Sequence, residues 1–144
     1  MNKTRIAIIN THPVQYFAPL YKYLTKNTDL DITVIYLSDE NVRLTFSNEF
    51  KSNIKWDVDL LNGYKYKFVG RNYKKKKIGG FFSIKSPELI SEISKKNYDV
   101  VWVHGYNFLS LFLATISAKF KNIPLLFRCE THGQLKRSYL NKKI

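Results

Sequence analysis

The chain has 144 residues, of which 44% are hydrophobic and 15% aromatic, which suits one domain with a packed core and excludes two of ordinary size. Its net charge of +13 lies entirely in residues 65–144, where seventeen Lys and Arg outnumber four Asp and Glu. A single cysteine, Cys129, excludes a disulfide framework. The sequence shows neither a membrane span nor an apolar leader, so we expect a cytoplasmic protein. Cys129 lies in an apolar run and is expected to be buried.

Five short runs have the apolar and β-branched content of strands. They are residues 5–10 (RIAIIN), 31–38 (DITVIYLS), 64–69 (YKYKFV), 98–103 (YDVVWV) and 124–129 (PLLFRC). Helices are predicted at residues 14–26, 87–97 and 107–120. For the first helix, Thr11 or His12 is the expected cap and Pro13 fits the first turn.

Two segments between these elements differ from the rest. Residues 107–120 are almost entirely apolar, so we expect this helix to be buried on most sides. Residues 39–63 are polar and predicted to be irregular, which is a long excursion for a compact domain and is typical of a functional or mobile loop.

Alternation of strands and helices predicts right-handed crossovers and a parallel sheet. We therefore expect an α/β fold, a single Rossmann-like open parallel sheet of order 3-2-1-4-5 with helices on both faces. Residues 1–133 form this domain, and residues 134–144 are a basic tail.

All three histidines of the chain lie within three residues after the end of a predicted strand. His12 follows the first strand, His104 the fourth and His132 the fifth. Ligands of open parallel sheets bind outside the carboxyl ends of the strands, where the strand order reverses. The order 3-2-1-4-5 makes these strands neighbours, so the three imidazoles are predicted to line one crevice. The candidate residues there are Thr11, His12, Gln15, His104, Tyr106, Arg128, Glu130, Thr131 and His132.

The chemistry of this crevice is open to several interpretations. Glu130 beside His132 or His104 would raise a histidine pKa or select a tautomer, as general acid–base work requires. Equally, Glu130 and Arg128 would form a structural pair, and the histidines would then have no catalytic role. Three His and one Glu are zinc ligands in principle, but no close pair such as H-x₃-H is present. We predict no metal, and the missing G-x-G-x-x-G fingerprint predicts no bound dinucleotide cofactor.

The most basic segment, residues 65–77, holds seven bases and no acid and precedes two phenylalanines. Lysines beside aromatic side chains suit an anionic membrane surface, and lysines alone suit nucleic-acid phosphates or a solvated loop. No nucleic-acid recognition motif is visible, so we expect no nucleic-acid partner. The predicted membrane or anion contacts are Arg71, Lys74, Lys75, Lys76, Lys77, Phe81 and Phe82.

Four motifs carry a resemblance to a known family. They are residues 11–21 (THPVQYFAPLY), 56–64 (WDVDLLNGY), 103–106 (VHGY) and 126–132 (LFRCETH). In this order, and over nearly the whole chain, they resemble the N-terminal domain of family 4 glycosyltransferases with the GT-B fold. The resemblance implies two Rossmann-like domains facing a cleft: the N-terminal one binds a sugar or lipid-linked acceptor, and the C-terminal one binds the nucleotide-sugar donor through an E-x₇-E motif. It also implies retention of anomeric configuration without a metal.

Residue by residue, the resemblance places Thr11 and His12 in a loop that faces the donor phosphates and the acceptor. It places His104 at the cleft end of the fourth strand. Glu130 falls where many relatives have a cleft histidine, while His132 stands two residues later, so either can carry that role. The basic loop matches a region through which related transferases touch membranes.

The sequence is therefore interpreted as the acceptor-binding half of a glycosyltransferase for cell-surface polysaccharide or glycolipid. His104, Glu130 and His132 are its predicted catalytic residues, and it is expected to be peripheral on the inner face of the plasma membrane. Neither the donor domain nor its motif is in the sequence, so we expect the chain to be inactive alone. It is interpreted as a fragment, a truncated gene product or one half of a split enzyme, whose C-terminal half would then be a separate chain. The alternative is a non-enzymatic module that binds membranes or anions.

Overall fold

The computed structural model describes residues 3–42, 45–47, 52–54, 59–70, 74, 78–95 and 97–129. The strands are β1 (Thr4–Asn10), β2 (Leu30–Tyr36), β3 (Thr45–Ser47), β4 (Ser52–Ile54), β5 (Lys65–Phe68), β6 (Val100–His104) and β7 (Leu125–Arg128). The helices are α1 (Ala18–Asn27), α2 (Glu88–Ser94) and α3 (Leu109–Phe120).

Five of these strands form one parallel sheet with β1 at its centre. The order across the sheet is β5-β2-β1-β6-β7, which is 3-2-1-4-5 when only the strands of this sheet are counted. Ile9 of β1 is in register with Ile35 of β2 on one side and with Val103 of β6 on the other. The predicted fold class and strand order are confirmed.

Helices cover both faces of the sheet. Successive side chains of β1 point to opposite sides, and because they are apolar on both sides, each face needs a covering layer. Ile8 faces one layer, where Phe17 and Tyr21 at the start of α1 pack against it. Ile9 faces the other layer, which is filled by side chains of α2 and α3 such as Leu89 and Leu111. Ile8 and Ile9 are both fully buried, so β1 contributes to two cores at once.

The segment between β1 and α1 differs from the prediction. The helix begins at Ala18, its first turn holds Pro19 rather than Pro13, and no side chain caps it. Val14 instead closes a turn, since its carbonyl accepts the backbone N–H groups of Phe17 and Ala18 at 3.0 and 3.1 Å. The interpretation of Thr11 or His12 as a helix cap is therefore wrong. The reason is that this turn delays the helix and leaves residues 11–17 as a loop at the end of β1.

Three further expectations are corrected. Part of the stretch predicted to be irregular forms an antiparallel pair of short strands, β3 and β4. Cys129 is exposed rather than buried, because β7 is the outermost strand of the five-stranded sheet. Helix α3 is also less buried than expected, since Phe112 and Phe120 are 48% and 83% exposed. In the described part of the chain, no helix combines the length and the apolar character that crossing a bilayer requires.

The central position of β1 predicts a large effect of truncating its side chains. Ile9→Ala is expected to lower the free energy of unfolding by about 3 kcal/mol, because it removes fully buried apolar atoms and leaves a cavity in the core. Leu20→Ala, on the exposed side of α1, is the control and is expected to change it by less than about 1 kcal/mol. Urea unfolding followed by circular dichroism measures both, and equal losses would contradict the two-layer core.

Candidate functional site

An open cavity of about 280 Å³ lies at the carboxyl ends of β1, β6 and β7. It lies where the strand order reverses, since β1 has β2 on one side and β6 on the other. This is the position at which open α/β sheets bind ligands. The lining residues belong to the three strand ends, the loops that follow them and the loop before α1. They are Asn10, Thr11, His12, Val14, Tyr16, Phe17, His104, Gly105, Tyr106, Asn107, Arg128 and Cys129.

His104 is the most unusual side chain of this cavity. It is only 8% exposed, and neither of its ring nitrogens has a hydrogen-bond partner among the described residues. Aromatic rings surround it: Phe17 meets it edge-on with the ring centroids 4.6 Å apart, and the Trp102 centroid is 4.8 Å away. Buried polar groups normally have partners, so the hydrogen-bonding capacity of both nitrogens is unused, and both are covered by neighbouring atoms in this structure.

The surroundings of His104 also set its charge. Burial, and secondarily the positive charge of Arg128, lower the pKa of His104 to about 4. The imidazole is therefore neutral near pH 7, with one nitrogen that donates and one that accepts a hydrogen bond. A neutral ring orients a hydroxyl group well, but it brings no positive charge to a reaction at this pH.

Arg128 is the cationic group in the lining. Its register partner across the sheet is His104, and its guanidinium carbon lies 4.6 Å from the centroid of the Phe17 ring, within cation–π range. The Arg128 carbonyl accepts the Gly105 N–H at 2.7 Å. Gly105 has a φ of +84°, a conformation that glycine adopts readily, and this turn directs the chain along the cavity wall after β6.

The loop after β1 forms the opposite wall and is held by short hydrogen bonds. The buried Thr11 carbonyl accepts the N–H groups of Leu37 and Ser38 at 3.1 and 2.8 Å. Thr11 Oγ1 lies 2.8 Å from His12 Nδ1. Burial lowers the pKa of His12, and the negative charge of Glu40 opposes that shift. Thr11 is thus a fixed wall residue, and its hydroxyl orients the second imidazole.

Sequence reasoning missed seven of the lining residues, and Asn10, Tyr16 and Phe17 are three of them. Asn10, the last residue of β1, receives the Thr11 N–H on Oδ1 at 2.9 Å. Tyr16, which is 61% exposed, stands at the cavity beside the buried Phe17. Asn10 could have been found from the sequence, because it is a polar residue at the end of an apolar strand. Tyr16 and Phe17 were missed because the predicted helix began too early and included them.

The structure brings together five of the predicted site residues. Thr11, His12, His104, Tyr106 and Arg128 all line the cavity. Gln15 is exposed on the loop before α1 and does not line it. Glu130, Thr131 and His132 lie outside the described residues, so two of the three histidines are seen to share the crevice.

The predicted membrane or anion contacts are described only in part. Lys74 is exposed, and Phe81 and Phe82 are 40% and 65% exposed. The other four, Arg71, Lys75, Lys76 and Lys77, lie outside the described residues. Among the residues that are described, no three His, Cys, Asp or Glu side chains group as ligands of a metal ion.

Comparisons with known proteins identify no relative. No family model, no curated protein and no solved structure matches the chain.

The depressed pKa of His104 predicts a pH-dependent stability. The unfolded chain binds a proton near the ordinary histidine pKa of about 6.5, whereas the folded protein binds it only near 4. The contribution of neutral His104 to the free energy of unfolding is therefore fully present above the pKa of the unfolded chain. It is lost as the pH falls toward the pKa of the folded protein. From pH 7 to about pH 5 we expect the parent to lose about 2 kcal/mol more than His104→Gln. Urea unfolding at both pH values measures this, and identical losses would show that His104 titrates normally.

Proposed function

We propose that this chain is the acceptor-binding half of a nucleotide-sugar-dependent glycosyltransferase, acting without a metal and with retention, in the synthesis of cell-surface polysaccharide or glycolipid. The observation that carries the proposal is the buried, neutral His104, whose ring nitrogens have no partner among the described residues and which lines a cavity at the switch point of the sheet. The motifs that resemble family 4 glycosyltransferases support it.

The cavity has the chemistry that a sugar acceptor needs. A neutral imidazole accepts an acceptor O–H at one nitrogen and donates its N–H to a second oxygen at the other. At the cavity, Tyr16 and Tyr106 are 61% and 42% exposed, and their rings offer flat apolar surfaces to the C–H face of a pyranose. Arg128 brings a positive charge that would stabilise negative charge developing on oxygen in the reaction.

The donor half is proposed to be a second Rossmann-like domain, from the same polypeptide or from a separate chain. That domain would hold the nucleotide sugar, and closure of the cleft would orient both substrates. Glu130 and His132 are proposed to join His104 on the acceptor side. One half of a cleft provides neither full donor affinity nor closure, so this chain by itself is expected to bind acceptor without turnover.

Acceptor binding is the direct test. The probes are alkyl glycosides of the common hexoses and hexosamines, screened by saturation-transfer NMR and titrated where a signal appears. For a glycoside that binds, His104→Ala is expected to weaken the affinity about tenfold, because a hydrogen bond to a buried group is lost. Tyr23→Ala, an exposed position on α1, is the matched control. Binding that is unchanged in His104→Ala would overturn the role of the cavity.

A second candidate function is favoured by the surface beside the basic segment. Phe81 and Phe82 are both exposed, and Lys85 Nζ lies 6.0 Å from the centroid of the Phe82 ring. The Leu109 N–H donates to the Phe81 carbonyl at 3.0 Å, so the pair is fixed at the start of α3. Aromatic side chains next to lysines suit an anionic bilayer. We propose peripheral contact of this surface with the inner face of the plasma membrane, in addition to sugar binding or instead of it.

Vesicle binding separates these possibilities. Co-sedimentation with phosphatidylglycerol vesicles is expected to fall about fivefold in Phe82→Ala, because the side chain loses much of its burial in lipid, while glycoside affinity stays unchanged. Adhesion through charge alone would disappear at high salt and would be insensitive to Phe82→Ala. A non-enzymatic module would bind vesicles, but no glycoside, and would not respond to His104→Ala.

A further inference from the structure

Helix α3 carries a stripe of apolar side chains that the sheet does not cover. Phe112, Ile116 and Phe120 follow each other at four-residue spacing, so they share one side of the helix. Phe112 is 48% exposed, Phe120 is 83% exposed and Ile116 is half-buried. The opposite side, with Leu111 among others, is packed in the core. An apolar stripe of this kind on a monomer marks an interaction surface.

The charges around the stripe favour an anionic partner. Phe120 stands between Lys119 and Lys121, both exposed. The sequence contains no Asp or Glu from residue 60 to 87 or from residue 100 to 129, so the stripe, Phe81 and Phe82 lie in acid-free segments. A second copy of this chain is a poor partner, because two molecules of net charge +13 repel each other. An anionic lipid surface offers both the apolar layer and the negative charge.

We propose that α3 lies along the surface of an anionic membrane with Phe112 and Phe120 inserted between the lipids. The inference rests on the proposed membrane contact and extends it from the Phe81–Phe82 pair along the whole helix. That pair is fixed at the first residue of α3, and Phe120 is the last, so the docking face is about 17 Å long. Lysines flank its far end and interact with headgroup phosphates.

This docking has a consequence for the cavity. Gly105, Tyr106 and Asn107 line the cavity, and α3 begins at Leu109. A helix resting on the bilayer therefore keeps one wall of the cavity within a few residues of the lipid. The acceptor that such a geometry suits is a sugar attached to a lipid, whose reactive hydroxyl stays close to the headgroups.

Insertion is tested directly with the full chain and a new tryptophan. In Phe120→Trp, vesicles of phosphatidylglycerol and phosphatidylcholine in equal parts are expected to shift the added fluorescence to shorter wavelength, and brominated lipids are expected to quench it. Tyr23→Trp, which is on α1 at the other face of the sheet and is 62% exposed in the parent, is expected to show neither effect relative to the parent spectrum. Equal quenching at both positions, or none at position 120, overturns the proposal.

Affinity gives an independent readout. The double substitution Phe112→Ser and Phe120→Ser is expected to lower vesicle affinity about tenfold, at low and at high salt, because two partly buried phenylalanines are lost. Unfolding curves confirm that the variant folds, and glycoside binding by the cavity is expected to be unchanged. If Phe82→Ala weakens vesicle binding and the double variant does not, only the loop touches lipid and the inference about α3 fails, while the membrane contact stands.

The remaining outcome identifies a different occupant. If the parent sediments as a dimer, the double variant as a monomer, and vesicle affinity is the same for both, the stripe binds a second copy of the chain and the membrane inference fails. Loss of glycoside binding in His104→Ala is measured separately, so failure of the α3 inference is distinguishable from failure of the glycosyltransferase proposal.

Discussion

The parallel pairing of β1 with neighbours on both sides is the constraint on which the rest of the structure depends. β1 lies between β2 and β6, and Ile8 and Ile9 are fully buried on opposite faces. The chain leaves β1 toward β2 through α1 and later returns to its other side as β6. Because connections depart in both directions, no crossover among the described residues closes over the carboxyl end of β1, and the cavity occupies the space that this leaves.

The buried polar groups at the base of the cavity are not equivalent. Asn10 and Thr11 are bonded to each other, and Thr11 is also bonded to the loop after β2, so they stabilise the wall. His104 is buried among aromatic rings, with no partner for its nitrogens in the described residues. An unsatisfied buried polar group costs about 1–3 kcal/mol. A bound ligand that supplied both hydrogen bonds would offset that cost.

The cavity and the exposed stripe of α3 are parts of one segment of the chain. The residues from 105 to 107 line the cavity, and the helix that follows them carries Phe112 and Phe120 outward. The absence of acidic residues from 100 to 129 makes this segment compatible with anionic partners along its whole length. The proposed recognition of a sugar and the proposed contact with lipid headgroups are therefore compatible with each other.

Sequence reasoning was most accurate where periodicity decides the structure. Apolar β-branched runs separated by helical segments determine an α/β sheet with right-handed crossovers, and the expected strand order is the one that doubly wound sheets usually have. The position of His104 at a strand end was also predictable, since the strand before it is short and apolar. The start of α1 was not predictable in this way, because Pro13 fits a first helical turn by itself, and only the turn closed by Val14 delays the helix.

By itself, the sequence determined the fold class, because local patterns suffice for it. The strand order and the meeting of His12 and His104 at the switch point were predicted from the order that doubly wound sheets usually have. Only the tertiary structure decided that His104 is neutral and without a partner among the described residues, since its pKa depends on the rings and the guanidinium packed around it. It also decided that Phe112 and Phe120 are outside. When a helix is apolar on most sides, its sequence does not show which side packs against the sheet. That is decided by how the helix is placed on the sheet in the folded protein.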